Sequence, residues 1–227
     1  MVTKIISLIG VPKKSGDTIG QLALYEQYLT KDPEIEYERI YLQDYSIEMC
    51  RGCSICFDRG EDYCSLKDDL SLVVQEIDRA DGLLVVSSVY AEHITSLLKK
   101  VIDRLAYKYH RSKWYKKTAF ILIPKTQFFP RGTEYLKRVL SGWLINVVGK
   151  SKWGIVKYLP EQKQEAVKKK IGKEIRQFCE ITKNFTLKNP SLYAMINFQI
   201  WRYRASLKSS ENADQQYFLN EGLQNEL

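Results

Sequence analysis

Four of the five cysteines in this 227-residue chain, Cys50, Cys53, Cys56 and Cys64, crowd into one short segment. Three thiols at two-residue gaps, with a fourth returning from a loop that contains Gly60, can converge on one metal or cluster. An iron–sulfur cluster is chemically the natural occupant. Zinc held by four thiolates is a second possibility, although zinc sites more often use two separated pairs. A buried or redox-active thiol loop, shaping a site or a dimer contact, is the third. With no signal peptide apparent at the start of the chain the cytoplasm is expected, and that reducing compartment favours all three over structural disulfides. Cys179 stands alone.

A second set of candidate groups lies in segments that follow apolar runs. Gly10 to Thr18 carries Lys13, Lys14, Ser15, Gly16, Asp17 and Thr18. Backbone N–H groups, a helix N-terminus, two lysines and two hydroxyls can together hold a phosphate. The order is neither that of a P-loop nor that of a dinucleotide fingerprint. Ser87, Ser88, Val89, Tyr90 and Ala91 follow a later apolar run and suit a flat heteroaromatic ligand. Pro124, Lys125, Thr126 and Gln127 follow another and add polar groups. His93 has no recognisable carboxylate or nucleophile partner, which argues against a hydrolytic triad.

The elements that must position these groups alternate in type. Lys4–Gly10, Gly82–Ser87 and Thr118–Ile123 are apolar runs of strand length, as expected for parallel strands covered on both faces. Glu36–Leu42 is charged, as an edge strand would be, and Trp153–Val156 is expected as a short fifth strand. Helical spacing is expected between them. Leu22, Ala23, Tyr25 and Leu29 face inward in the first helix, and Leu70, Val73, Val74 and Ile77 follow Asp68 and Asp69. Ile94 to Leu105 and Leu136 to Val147 supply two further stripes, and Glu161 to about Asn184 the last. Five strands, each followed by a helix, imply a doubly wound α/β sheet. Ligands then bind beyond the carboxyl ends of the strands.

Pro190 interrupts that repeat, and Ala194–Leu207 is aromatic and basic. The expected organisation is one domain over 1–187 and a C-terminal helical extension over 188–227, packed on the domain or on a twin subunit. A membrane-surface or nucleic-acid helix is the sharper alternative, which nothing else in the chain favours. The 35 basic residues exceed the 27 acidic ones by 8, but much of the excess sits on the late helices, where a solvated face explains it. No apolar run approaches the ~20 residues of a membrane span. The start of the chain reads as a strand rather than a signal peptide.

Taken together, these motifs resemble the flavodoxin-like NAD(P)H-dependent FMN reductases, and their iron–sulfur flavoprotein branch in particular. Gly10 to Thr18 is similar to that family's phosphate loop. Cys50-Arg51-Gly52-Cys53 through Cys56 to Cys64 and Asp68-Asp69-Leu70 is similar to its cysteine segment. Ala80-Asp81-Gly82, Ser87 to Tyr90, Leu98-Lys99 and Asp103-Arg104 follow its later pattern, and Asp214, Tyr217, Phe218, Glu221 and Gly222 resemble a tail found in some members. The resemblance implies a five-stranded sheet in the order 2-1-3-4-5. It implies FMN with its phosphate at Lys13 to Thr18 and its ring against Ser87 to Ala91, Lys125 and Thr126 closing the far side. It further implies hydride transfer from NAD(P)H, a homodimer and, at the four cysteines, a 4Fe–4S cluster. Asp17 stands where the family carries Asn, and beside a phosphate it must turn away to cap the helix. The alternative is a non-enzymatic electron carrier or redox-sensing protein with weakened flavin binding.

Overall fold

Successive side chains of a strand point to opposite faces, so a strand buried on both sides must be apolar throughout. The computed structural model, which describes residues 2–124, 131–185, 192–209 and 211–220, follows that rule. In chain order its elements are β1 (Thr3–Ile9), α1 (Asp17–Leu29), β2 (Ile35–Tyr41), α2 (Ile55–Asp58), α3 (Leu70–Arg79), β3 (Gly82–Val86) and α4 (Ser96–Arg104). They continue with β4 (Thr118–Leu122), α5 (Arg131–Gly142), β5 (Asn146–Lys150), α6 (Glu161–Lys183), α7 (Leu192–Ser206) and α8 (Ala213–Asn220). The five strands form one parallel sheet in the order β2-β1-β3-β4-β5.

Ile6, Leu8, Leu83, Val85, Ala119 and Ile121 point to one face, where α3, α4 and α5 cover them. Ile5, Ile9, Leu84, Val86, Phe120 and Leu122 point to the other, against α1 and α6. Each fully buried Leu, Ile or Val in these layers contributes roughly 1.5–3 kcal/mol. At the β2 edge, Glu36 and Glu38 are exposed, and the Lys4 ammonium lies 3.3 Å from one and 3.1 Å from the other. In α1, Ala23 faces solvent and Glu26 is buried instead, because the Arg39 Nε donates to its carboxylate at 2.6 Å.

The fifth strand is not where the aromatic run suggested. It occupies Asn146–Lys150, and residues 151–155 carry no regular element. Trp143, Leu144 and Val147 keep helical spacing, yet α5 stops at Gly142. An added methyl there would overlap the Tyr109 ring, and Leu144 then takes a left-handed φ of 62° that turns the chain into the sheet. The pairing of β4 with β5 skips one residue after Ala119, bringing Gly149 opposite Phe120. Trp153 packs instead beside α6, where its indole N–H donates to Glu174 at 3.3 Å.

The C-terminal helices form a small cluster of their own, in which Phe198, Ala205, Tyr217 and Phe218 pack with Tyr115, Leu144 and Trp201. No described helix is long and apolar enough to cross a membrane.

Candidate functional site

At the carboxyl edge of the sheet, the loops after β1 and β3 are tied to each other. Gly10 sits so close to α4 that a Cβ would fall 2.6 Å from that of Leu98. The Thr95 hydroxyl donates to the Gly10 carbonyl and caps α4 by accepting from the Leu98 N–H. The Thr95 N–H in turn donates to the Ser87 hydroxyl at 3.1 Å, and that hydroxyl donates to the Ser88 carbonyl at 2.9 Å. The Thr18 and Ser88 hydroxyls lie 2.8 Å apart. Residues seventy positions apart in the chain thus meet at one point on the sheet edge.

Val11 packs into the core beneath the first loop, whose middle faces outward. Lys13, Lys14, Ser15 and Gly16 are exposed. Lys14 pairs with Asp44 at 2.6 Å and lies over the Tyr41 ring. Gly16 caps α1 at a φ of 103° with no side-chain hydrogen bond, so the first-turn N–H groups, which have no intrahelical acceptor, face the loop. Asp17 does not cap the helix and is engaged elsewhere. Its carboxylate takes Lys157 and the Tyr158 hydroxyl, and these two hydrogen bonds hold it below the usual carboxylate range.

Beyond Ser88, Tyr90 and His93 exchange two backbone hydrogen bonds of 2.9 Å. The turn between them places Ala91 and Glu92 at φ values of 47° and 65°. Side-chain-bearing residues rarely adopt that region, and each costs roughly 1–2 kcal/mol. The turn presents a half-exposed Tyr90 and lays the His93 ring on Tyr135 at 4.7 Å. Lys125 and Thr126 lie outside the described residues.

The cysteine segment hangs from a pinned base. The Glu48 N–H donates to Asp68 at 2.9 Å and the Ser46 N–H to Asp69 at 2.7 Å, which closes the two ends of the loop on each other. Between them, Gly52, Ser54 and Gly60 turn the chain with left-handed φ values. Arg104 of α4 is buried, donates to Asp68 at 2.5 Å and to the Glu48 carbonyl at 3.1 Å, and reaches Cys64 Sγ at 3.8 Å. Burial pushes the Asp68 carboxyl up, but the hydrogen bonds from Arg104 and from two backbone N–H groups outweigh it and hold it low.

All four cysteines line one cleft of about 650 Å³, floored by Tyr107 and Lys108. Cys50 and Cys53 are exposed, Cys56 and Cys64 half-buried. Burial, and then the other three thiols, push Cys56 up, while Arg111 draws it down. The donor set therefore fits a thiolate-ligated cluster in kind and number. The thiols are not converged, and the described residues contain no group of three His, Cys, Asp or Glu arranged to hold an ion. Cys179 lies apart in α6, its thiol pushed up to about 12 by burial.

Two participants are not marked as site residues by the motifs. Arg111 donates to the Cys56 carbonyl and to Glu61, and Asp214 of α8 accepts from Arg111 and His110. Asp214 carries a signal only as part of the tail pattern. His110-Arg111 carries none beyond the rarity of histidine in this chain.

Comparison with known proteins places these loops in a family setting. A family model described as NADPH-dependent FMN reductase matches residues 3–159. An iron-sulfur flavoprotein of Archaeoglobus fulgidus is 28% identical over 148 residues, covering 64% of this chain and 66% of its own length. Another from Methanocaldococcus jannaschii is 32% identical over 103 residues, covering 44% of this chain and 51% of its own. The chain thus matches between about half and two thirds of the length of these relatives. An FMN-dependent NADH-azoreductase from Bacillus anthracis, solved with FMN, shares the fold at a TM-score of 0.58 and 12% identity, covering 78% of this chain and 99% of that one. An NAD(P)H:quinone oxidoreductase from Methanothermobacter marburgensis superposes at 0.58 with 18% identity, over 78% of this chain and 98% of the other.

Proposed function

The chain belongs to the NADPH-dependent FMN reductase family, and from that premise we propose that it is a flavin-dependent oxidoreductase, carrying electrons from NAD(P)H through FMN to a small-molecule or protein acceptor. When bound, the flavin supplies the hydride-accepting chemistry, so no protein acid or base is needed. The observation that carries this reading is the junction of the first and third loops at Thr18 and Ser88. It sets a helix N-terminus and exposed lysines beside a polar strand end, at the place where an open parallel sheet receives its ligand.

The chain's own residues have distinct parts in this reading. The N–H groups opening α1, with Lys13, Ser15, Gly16 and Thr18, hold the phosphate. Lys14 reaches it once it leaves Asp44. The strained turn at Ala91 and Glu92 fixes Tyr90 and the adjacent backbone along the ring edge. Asp17, engaged by Lys157 and Tyr158, keeps its charge off the phosphate.

The four loop cysteines would hold a 4Fe–4S cluster, which supplies one-electron steps when bound. The thiol donor set and the names of the relatives support this. The free thiols suit a cytoplasmic setting. Exposed Ile196, Ile200, Tyr203 and Leu207 at helical spacing on α7 and its end favour a homodimer.

The test is steady-state oxidation of NADPH and NADH by FMN-loaded protein with quinone, flavin or ferricyanide as acceptor. Turnover with at least one acceptor is expected. Stoichiometric flavin with no turnover would favour the electron-carrier alternative, and no flavin binding would overturn the reading. Iron and sulfide analysis of anaerobically prepared protein tests the cluster separately, with Cys56→Ser expected to abolish it.

A further inference from the structure

We infer that the C-terminal helices latch the cysteine loop in place, with Asp214 as the positioning residue. The inference rests on that loop being the redox site proposed above, but it is read on the thiols themselves, without flavin or cluster.

Two routes run from the tail to the loop through one short segment, His110–Ser112. The first is ionic. The Asp214 side chain is 3% exposed and accepts from Arg111 at 2.5 Å, His110 at 2.8 Å and Lys208 at 2.8 Å. Arg111, itself 5% exposed, spends its other donors on the Cys56 carbonyl at 2.5 Å, the Phe57 carbonyl at 3.4 Å and Glu61 at 3.0 Å. A guanidinium is a planar fork, so fixing one side with a carboxylate fixes where the other side points. Asp214 therefore sets the position of a backbone carbonyl that belongs to a loop cysteine.

The second route is aromatic. The His110 ring stacks on Trp201 of α7 at 3.6 Å and meets Phe57 of α2 at 4.7 Å on its other contact. Tyr217 of α8 donates its hydroxyl to the Ser112 carbonyl at 2.7 Å. α8 comes down beside the loop at Gly60, whose left-handed φ of 111° turns the chain there. Removing the carboxylate takes away the buried partner of Arg111 and leaves only the half-exposed Glu61, and a buried cation so weakened reorganises or takes up water. The loop carbonyls then lose their anchor and the half-buried thiols, Cys56 and Cys64, open to solvent.

The experiment uses the full-length, metal-free, reduced protein and follows maleimide labelling of each cysteine by mass spectrometry. Cys179 is buried in α6 and reports global unfolding. In Asp214→Asn, Cys56 and Cys64 are expected to label about tenfold faster than in the parent, with Cys179 unchanged and Asp214→Glu restoring part of the protection. Unchanged labelling of Cys56 and Cys64 in the folded variant would overturn the inference. Should Asp214→Asn unfold, so that Cys179 labels with the rest, hydrogen exchange on the unmutated chain decides. A common opening of residues 56–64 and 213–218 is expected, and independent openings would overturn the latch. Neither readout depends on FMN or NADPH, so failure of the latch and failure of the oxidoreductase reading are told apart.

Discussion

The loop over Gly10 to Thr18 and the cysteine loop handle charge in opposite ways. Around the first, Lys14, Asp44, Asp17 and Lys157 pair on the surface, with roughly two fifths or more of each side chain exposed. Around the second, Arg104 and Asp68 are 4% and 7% exposed, and Arg111 and Asp214 are 5% and 3%. Surface pairs contribute little and exchange partners easily, whereas a buried pair, once one partner is lost, leaves an uncompensated charge. The first arrangement would suit the anion-binding role proposed for that loop. A loop that must hold several thiols in one geometry gains from the second. The difference assigns mobility of charge to one end of the site and rigidity of backbone to the other.

Breaking the buried side should cost most. Asp68→Ala strips Arg104 of its carboxylate and the Glu48 and Leu70 N–H groups of their acceptor, and urea denaturation should show a loss of about 3–5 kcal/mol. A loss under about 1 kcal/mol would mean that the two loops do not differ as described.

Acid is the next lever. Burial pushes Asp214 up, but hydrogen bonds from His110 and Lys208 and the charge of Arg111 outweigh it, and the carboxyl sits below its ordinary value. With the folded value depressed, its contribution to stability is complete above the unfolded value of about 3.9 and fades as pH falls through the folded one. Glu61, beyond Arg111, is the other carboxylate facing this group. Trp201 fluorescence followed down the pH scale should report loosening of the tail below about pH 4. Asp214→Asn should remove that transition.

Gly10→Ala tests the shared anchor of the loops after β1 and β3. The new methyl meets Leu98, and overpacking of this kind costs about 1–3 kcal/mol. Displacement of the loop should also weaken FMN binding in a fluorescence titration. The smallest stability effect belongs to Lys14→Ala, within about 0.5 kcal/mol by urea denaturation. FMN affinity should nonetheless fall about fivefold at low salt and less at high salt. A stability loss comparable with that of Asp68→Ala would erase the contrast.

Much of this arrangement is legible in the residues themselves. β1, β3 and β4 are apolar without interruption because both faces are covered, and α3 and α4 keep their stripe because each packs on one side only. The cysteine spacing and Asp68-Asp69 mark the second loop, since both act locally. β5 is not legible, because the helical stripe runs on past the end of α5 at Gly142, and the Tyr109 ring packed against that glycine leaves no mark in the periodicity. The link from Asp214 to Arg111 spans 103 positions, and a charge pair at that separation leaves no pattern in either neighbourhood. Lys14 reads as a phosphate ligand, whereas its partner Asp44 sits after another strand.

The charged β2 edge bears on how copies of the chain meet. An isolated edge strand is an open template of N–H and C=O groups onto which another chain can crystallise. Here Glu36 and Glu38 stand 60% and 47% exposed along that rim, with the single Lys4 beneath them. A second copy adding itself at β2 would bring a like-charged rim against this one, which like-charge opposition across strands disfavours. Growth by sheet extension is thereby disfavoured at this border.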